Sequence, residues 1–387
     1  MRGGMKRRAP RTLGLVLSGG GARGAFQVGV YERLLEDPRF ADGPAVLSGT
    51  SAGGINAALI AAGKTPREML RFWREIGDDP PVKASSDFFS GVLRTLTRLT
   101  AEETVRWVRS SSPLRAFLQR LGNHSLRRPA DVVALWVEYL LTARFELVSR
   151  FLEGIREPFV ADTKRLRERL VDVFGGERVP TNGLRLAVNT VDAHTGRVVR
   201  FVTAPAPVVQ SPDYVVVDAI TVDMVLATAS IPLLFPPVEI GPHLLWDGGL
   251  LVNTPLAPVV ALGAEEIITV LVTETPEGTP APFKHFGRAV ERTVDSFLEN
   301  AYNIDRKLLL ERNRVTRLQG GPYREVMLYE AVRPVREPCF NTGSYLYFAR
   351  NFLATMYDAG RRAATRWLES GPRVDELEEP AINMAMS

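Results

Sequence analysis

Leu13-Gly14-Leu15-Val16-Leu17-Ser18-Gly19-Gly20-Gly21-Ala22-Arg23-Gly24 and Leu47-Ser48-Gly49-Thr50-Ser51-Ala52-Gly53-Gly54 are the two stretches on which the reading of this chain turns. Each couples a short apolar run to a turn of small residues. The runs, Leu13 to Leu17 and Ala45 to Leu47, show no alternation, as expected of central strands in a parallel sheet. Ala25 to Glu36 then carries Phe26, Val30, Leu34 and Leu35 at helical spacing, and Ser51 to Ala62 is rich in the Ala and Gly that let a helix lie close to a sheet. Parallel strands joined through helices send both turns out at the same carboxyl edge. One turn offers bare backbone N–H groups there. The other offers a serine at a helix N-terminus, and together they are the equipment of acyl transfer.

Working outward, 387 residues with 45% apolar and 24% charged side chains describe a globular α/β chain with a large core. The net charge of +4 is a weak sign of anionic surfaces, and no nucleic-acid-binding signature accompanies it. The single cysteine, Cys339, excludes an intrachain disulfide framework and a multi-cysteine zinc site. No uncharged apolar stretch reaches about 18 residues, so no membrane span is expected. The basic arm 1–11 lacks an h-region, which argues against a secretory leader and leaves a cytoplasmic protein as the expectation. A peripheral membrane contact is the competing placement.

Pro66 starts a helix running to Ile76. From Asp78 to about Gly183 the texture becomes helical and arginine-rich without convincing strands, with long helices expected over Asp131 to Glu157 and Asp162 to Phe174. Between Gly91 and Ala130 eight arginines (Arg94, Arg98, Arg106, Arg109, Arg115, Arg120, Arg127, Arg128) face only Glu102 and Glu103, a surplus of six. Basic amphipathic helices of this kind lie on anionic lipid or simply snorkel into water. The region reads as a helical insertion over the site. Strands return at Leu184 to Val191 and Arg197 to Val202 as a hairpin around Asp192 to Gly196. Ala219 to Ala229 reads as helix, Ile231 to Pro237 as loop, Thr254-Pro255 as a capped helix start, and Glu266 to Val272 as a buried strand. A long helix over Phe283 to Asn313, a strand near Val326 to Tyr329, a helix over Tyr345 to Leu368 and a mobile acidic tail over 371–387 complete the chain. The main domain is expected over 12–370.

Gly19, Gly21 and Gly24 fit G-x-G-x-x-G, yet the second strand ends in Gly49-Thr50-Ser51 rather than in the acidic residue a dinucleotide site needs, and no lysine follows the glycines as in a Walker loop. Gly49-x-Ser51-x-Gly53 is instead the nucleophile-elbow pattern, in which flanking glycines relieve a strained turn that holds the hydroxyl out at the positive end of a helix. An oxyanion donor in such sites is worth roughly 2.7–4 kcal/mol of barrier. For the base, His124 and His194 read as exposed turn residues and His243 as loop packing. His285 alone fits the chain order Ser…Asp…His, but too few strands precede Ser51 for an α/β-hydrolase. Asp247, after a short apolar run and before Gly248 and Gly249, is the better candidate, because partial burial raises its basicity toward a useful range.

Gly19-Gly20-Gly21-Ala22-Arg23-Gly24, Gly49-Thr50-Ser51-Ala52-Gly53 and Asp247-Gly248-Gly249, in that order, resemble the three signature blocks of the patatin-like phospholipase family. Ala229-Ser230-Ile231-Pro232…Phe235-Pro236-Pro237, Asn253 and Pro255 are similar to its neighbouring segments. The resemblance implies a three-layer α/β/α fold with a mainly parallel sheet and a Ser–Asp dyad acting on lipid acyl esters. Ser51 would be the nucleophile and Asp247 the base. Gly19, Gly20, Gly21 with Arg23 beside them, and Ala52, would form the oxyanion hole, supported by Gly24, Gly49, Gly53, Gly248 and Gly249. No metal or other cofactor is implied, and a phospholipid or lysophospholipid is the expected substrate. An acyltransferase using the same serine, or a catalytically silent lipid-binding module, are the competing readings.

Overall fold

Strands β1 (Leu13–Leu17) and β2 (Val46–Thr50) form where the sequence is apolar on both faces and small residues wait at the carboxyl end. In this computed structural model the described residues are 11–78, 83–109, 130–131, 133–135, 137–138, 145–204, 211–274, 286–320, 323–335 and 337–377. The expectations for the arm 1–10, for the break at Asp79 to Pro81, for His124, His285, Arg115, Arg120, Arg127 and Arg128, and for the last ten residues lie outside them. The chain divides into two compact units. The first comprises Met1–Val82, Thr163–Pro232 and Pro237–Ser387, and the second Lys83–Asp162 with Leu233–Pro236.

In the first unit, β1 leads through a short 3₁₀ turn (Gly21–Arg23) to α1 (Gly24–Leu35), then β2, α2 (Ala52–Ala61) and α3 (Pro66–Asp78). Every residue of α2 is buried, the expected state of a helix that is apolar all round. In the second unit, β3 (Lys83–Ala84), α4 (Ser86–Arg109), α5 (Phe145–Gly154) and β4 (Ala161–Asp162) follow, β3 pairing antiparallel with β4. The first unit resumes with α6 (Lys164–Phe174), β5 (Arg185–Asp192), β6 (Val198–Thr203), β7 (Tyr214–Val217), α7 (Val222–Ala227), β8 (Val238–Ile240) and β9 (His243–Asp247). It ends with α8 (Leu256–Ala261), β10 (Glu266–Val270), α9 (Phe286–Gln319), β11 (Met327–Leu328) and α10 (Arg350–Glu369).

The sheet runs β11-β10-β1-β2-β5-β6-β7, with β9 paired to β5 and β8 to β9. The pairs β1–β2, β1–β10, β2–β5, β6–β7 and β10–β11 are parallel, whereas β5–β6, β5–β9 and β8–β9 are antiparallel. Leu15 and Leu17 pack into one core with Phe26, Leu59 and Trp73. Val16 points the other way, into a second core with Leu256, Val259, Tyr302 and Leu310. Helices therefore cover both faces of a mainly parallel sheet, as the α/β/α expectation had it.

One feature of the register places the site. Along one side of β5, β2 pairs as far as Thr50↔Asn189, and β9 takes over at Thr190↔Asp247, running in the opposite direction. The carboxyl ends of β2 and β9 thus meet head to head, one strand residue (about 3.3 Å) apart along β5. Residue 51 and residue 247 are brought together by that handover.

Several local expectations need correction. The region between Asp78 and Gly183 does contain strands, though each has two residues, too short to leave a pattern. α6 packs Leu166, Leu170 and Phe174 into the first unit's core, so it is not part of the second unit. The helix expected to reach Glu157 stops at Gly154. The helix expected over Ala219 to Ala229 has six residues. β8 was not foreseen. Thr254 does not cap α8: Pro255 holds the N-cap position and the buried Thr254 hydroxyl has no partner among the described residues. The described part of the tail is packed, because Asp375 is paired with Arg306 and Val374 bridges to Tyr329. On α4, Arg98 and Arg106 are paired with Glu102 and Glu103, the two acidic residues already set against the basic count.

Candidate active site

Ser51 links β2 to α2 with φ 54° and ψ −128°, a left-handed backbone that a side-chain-bearing residue adopts only under constraint. The constraint is visible in its neighbours. A Cβ on Gly53 would lie 2.2 Å from the Leu17 carbonyl oxygen, and one on Gly49 would lie 2.2 Å from the Gly53 oxygen. The turn therefore closes only with glycine on both sides. Ser51 is 7% exposed, and its N–H donates to Thr228 Oγ1 at 3.0 Å. The Thr228 hydroxyl in turn donates to the Asn189 carbonyl, and Asn189 Nδ2 donates to the Gly49 oxygen at 2.8 Å.

Asp247 ends β9 and is 4% exposed. Its N–H donates to the Ser230 carbonyl at 2.9 Å, and its Oδ1 accepts the Gly249 N–H at 2.7 Å. The Ser51 side chain is the polar neighbour that favours its ionised form. Burial pushes the Asp247 pKa up to about 7, against the opposing pull of the Ser51 hydroxyl and the Gly249 N–H. A carboxyl group with that pKa, beside a hydroxyl at a helix N-terminus, can take up and return a proton near neutrality.

The glycine turn arrives from β1. Gly19 N–H donates to the Asn253 carbonyl at 2.9 Å, and Arg23 N–H to the Gly20 carbonyl at 3.1 Å. Among the described residues the N–H groups of Gly20, Gly21 and Ala52 have no hydrogen-bond acceptor. A Cβ on Gly19 would sit 2.3 Å from Asn253 Oδ1 and 3.1 Å from Ser51 Cβ, so this turn passes directly over the serine. Two members of the expected oxyanion set have their N–H groups engaged elsewhere. Gly19 has its N–H committed to Asn253. Arg23 has its N–H committed to Gly20, and its side chain, 1% exposed, is directed at Ser344, Val272 and Asn341.

A buried polar chain supports the turn from beneath. Gln27 Nε2 donates to the Ser18 carbonyl at 2.6 Å, Asn56 Nδ2 to Gln27 Oε1 and to the Gly24 carbonyl at 2.9 Å each, and Trp73 Nε1 to Asn56 Oδ1 at 2.9 Å. Gly248 fits against the Asn189 carbonyl. Thr228, Asn189, Gln27, Asn56 and Trp73 escaped the sequence reading, which had named Asn253 only as part of a resemblance. Their one sequence signal is Thr228, which directly precedes the Ala229 to Pro237 stretch. The described histidines stand elsewhere: His243 Nδ1 lies 2.8 Å from Asp192 Oδ2 and His194 N–H donates to Asp192 Oδ1. No cluster of metal-ligating side chains occurs among the described residues, and none of their helices is long and apolar enough to cross a membrane.

Comparisons with known proteins bear on this arrangement. NTE family proteins of Mycobacterium bovis and Mycobacterium tuberculosis are 42% identical over 77 residues, which is 19% of this chain and 13% of theirs. VipD from Legionella pneumophila superimposes with a TM-score of 0.41 at 15% identity, over 95% of this chain and 68% of that one. The complex of ExoU with SpcU from Pseudomonas aeruginosa gives a TM-score of 0.29 at 17% identity, over 92% and 53%. The model of a patatin-like phospholipase matches residues 15–260, more than half of the chain, and the chain belongs to that family.

Proposed function

We propose that the protein is a lipid acyl hydrolase working through a Ser51–Asp247 dyad. The observation that carries the reading is the pairing of a strained, helix-terminal hydroxyl with a buried carboxylate whose pKa is about 7. In the first half-reaction Ser51 Oγ attacks the ester carbonyl carbon and its proton passes to Asp247. The carbonyl π electrons move to oxygen, and the free N–H groups of Gly20, Gly21 and Ala52 receive that charge. Collapse of the intermediate breaks the acyl C–O bond, and the leaving alkoxide takes the proton from Asp247. Water then attacks the acyl-enzyme, gives its proton to Asp247, and releases the fatty acid as Ser51 recovers its own. The α2 N-terminus stabilises the developing negative charge throughout.

Family membership favours a phospholipid or lysophospholipid as the acyl donor. The test is labelling by a fluorophosphonate probe together with turnover of a p-nitrophenyl acyl ester. Wild type is expected to do both, Ser51→Ala neither, and Asp247→Asn to lose turnover by several orders of magnitude. Full turnover in Ser51→Ala rejects the reading. Product analysis with an added alcohol acceptor separates hydrolysis from acyl transfer.

A further inference from the structure

The matched family segment ends at residue 260, yet the side chain of Arg23, inside the glycine turn, directs its hydrogen bonds, its ion pair and its ring contacts at residues beyond that point. Nε donates to Ser344 Oγ at 2.8 Å, Nη1 to the Val272 carbonyl at 2.8 Å and Nη2 to the Asn341 carbonyl at 3.0 Å. The guanidinium lies 3.6 Å from the centre of the Tyr345 ring and 4.9 Å from that of Phe340. Asp295 Oδ1 stands 3.8 Å from Nη1 and also accepts the Tyr345 hydroxyl at 2.7 Å. This is a planar fork read on three acceptors and set over two rings, a geometry that a lysine cannot reproduce.

The other side of the same contact reaches the reacting centre. A Cβ on Gly21 would come within 2.1 Å of the Tyr345 carbonyl oxygen, so the 340–345 segment is pressed against the turn at the residue that carries a free N–H. Gly21 has φ +54°, and a glycine in that conformation has no side chain to hold it in place. An oxyanion donor works only if its direction is fixed before charge develops.

We propose that Arg23 is a positioning residue, fastening the Phe340 to Tyr345 segment against the glycine turn so that this C-terminal segment, and not the family core alone, aims the N–H groups of Gly20 and Gly21. The inference rests on the dyad reading above. It predicts that the arginine acts on the rate of the chemical step and does not touch the substrate.

The test compares full-length wild type, Arg23→Lys, Arg23→Met and Tyr345→Leu. Active sites are counted with a fluorophosphonate, and kcat and KM are measured on p-nitrophenyl butyrate. Loss of aimed donors is expected to lower kcat per counted site by about 10²-fold, with KM within about threefold. Arg23→Lys should fail to rescue, and Tyr345→Leu should add little to Arg23→Met in the double variant. Ser344→Ala, which removes the acceptor of Arg23 Nε together with the hydroxyl's two bonds to the Asn341 backbone and leaves the stacking, serves if the arginine variants do not fold, and should show a smaller kcat loss of the same kind. Variants with wild-type kcat per counted site overturn the inference, as does a loss confined to KM. A wild type that neither labels nor turns over would reject the dyad itself, a separate result.

Discussion

The backbone N–H of Ser51 donates to the Oγ1 of Thr228, 177 positions away in sequence, at 3.0 Å. The hydrogen bond consumes the one main-chain donor of the proposed nucleophile, so that residue's own N–H is not offered to an oxyanion. It also pins the strained turn to the strand β5, because the same hydroxyl donates onward to the Asn189 carbonyl.

Thr228→Val keeps the shape of the side chain and removes both bonds. The buried Ser51 N–H is then left without a partner, at a cost of about 1–3 kcal/mol. Thermal unfolding should show that loss, and kcat should fall while KM on a short-chain ester changes little. Thr228→Ser, which retains the hydroxyl, is expected to recover most of both. A Thr228→Val variant with wild-type stability and kcat would show that the relay holds nothing.

The pH dependence follows from Asp247. Its folded-state pKa of about 7 lies above the roughly 3.9 of an unfolded chain, so the proton is retained until near neutrality. Only the ionised form can accept the serine proton. kcat/KM is therefore expected to rise about tenfold per pH unit up to an apparent pKa near 7 and then level. A profile flat from pH 5.5 to 8 would exclude Asp247 as the base.

The same shift makes a stability prediction of definite sign. A raised carboxylate pKa contributes stability that is fully present below the unfolded pKa and is lost as pH rises through the folded one. Across that window of about three units the loss is on the order of 4 kcal/mol. Asp247→Asn cannot ionise and escapes it. It should melt higher than wild type at pH 8.5, with the advantage shrinking toward pH 4. Melting curves across pH read this directly, and an Asn variant less stable at pH 8.5 than at pH 4.5, relative to wild type, would refute it.

What could be read from the amino acids alone divides along physical lines. Turns that need glycine are legible, because the steric demand at Gly49 and Gly53 is local and nothing else fits. Buried parallel strands are legible as apolar runs. β8 is not, because three residues that include Glu239 carry no pattern. The direction of Arg23 was hidden for a different reason: a charged residue in a catalytic-looking motif invites a functional role, whereas the groups that capture it lie 249 to 321 residues downstream. Thr228 and Asn189 were hidden likewise, since their partners are made by strand register and not by sequence spacing. The head-to-head meeting of β2 and β9 is a property of topology, and only the fold could supply it.

Trp73 and Asn56 offer a prediction on the support beneath the turn. Asn56 is fully buried and uses its amide nitrogen on Gln27 and Gly24 and its oxygen on the Trp73 indole. Asn56→Leu removes the acceptor while leaving the indole N–H and the Gln27 oxygen buried without a partner; the Gly24 carbonyl keeps its intrahelical bond. Each such orphan costs about 1–3 kcal/mol, so a loss of several kcal/mol is expected. Asn56→Asp keeps the acceptor for Trp73 but sets a buried carboxylate oxygen against the Gln27 and Gly24 oxygens, a further cost. Trp73→Phe removes the indole donor and frees the Asn56 oxygen alone, so it should be the mildest of the three. A small loss for Trp73→Phe beside losses of several kcal/mol for both Asn56 variants, measured by denaturant unfolding, tests whether the chain is a connected network. Equal losses for all three would mean that the residues act by packing volume and not through their hydrogen bonds.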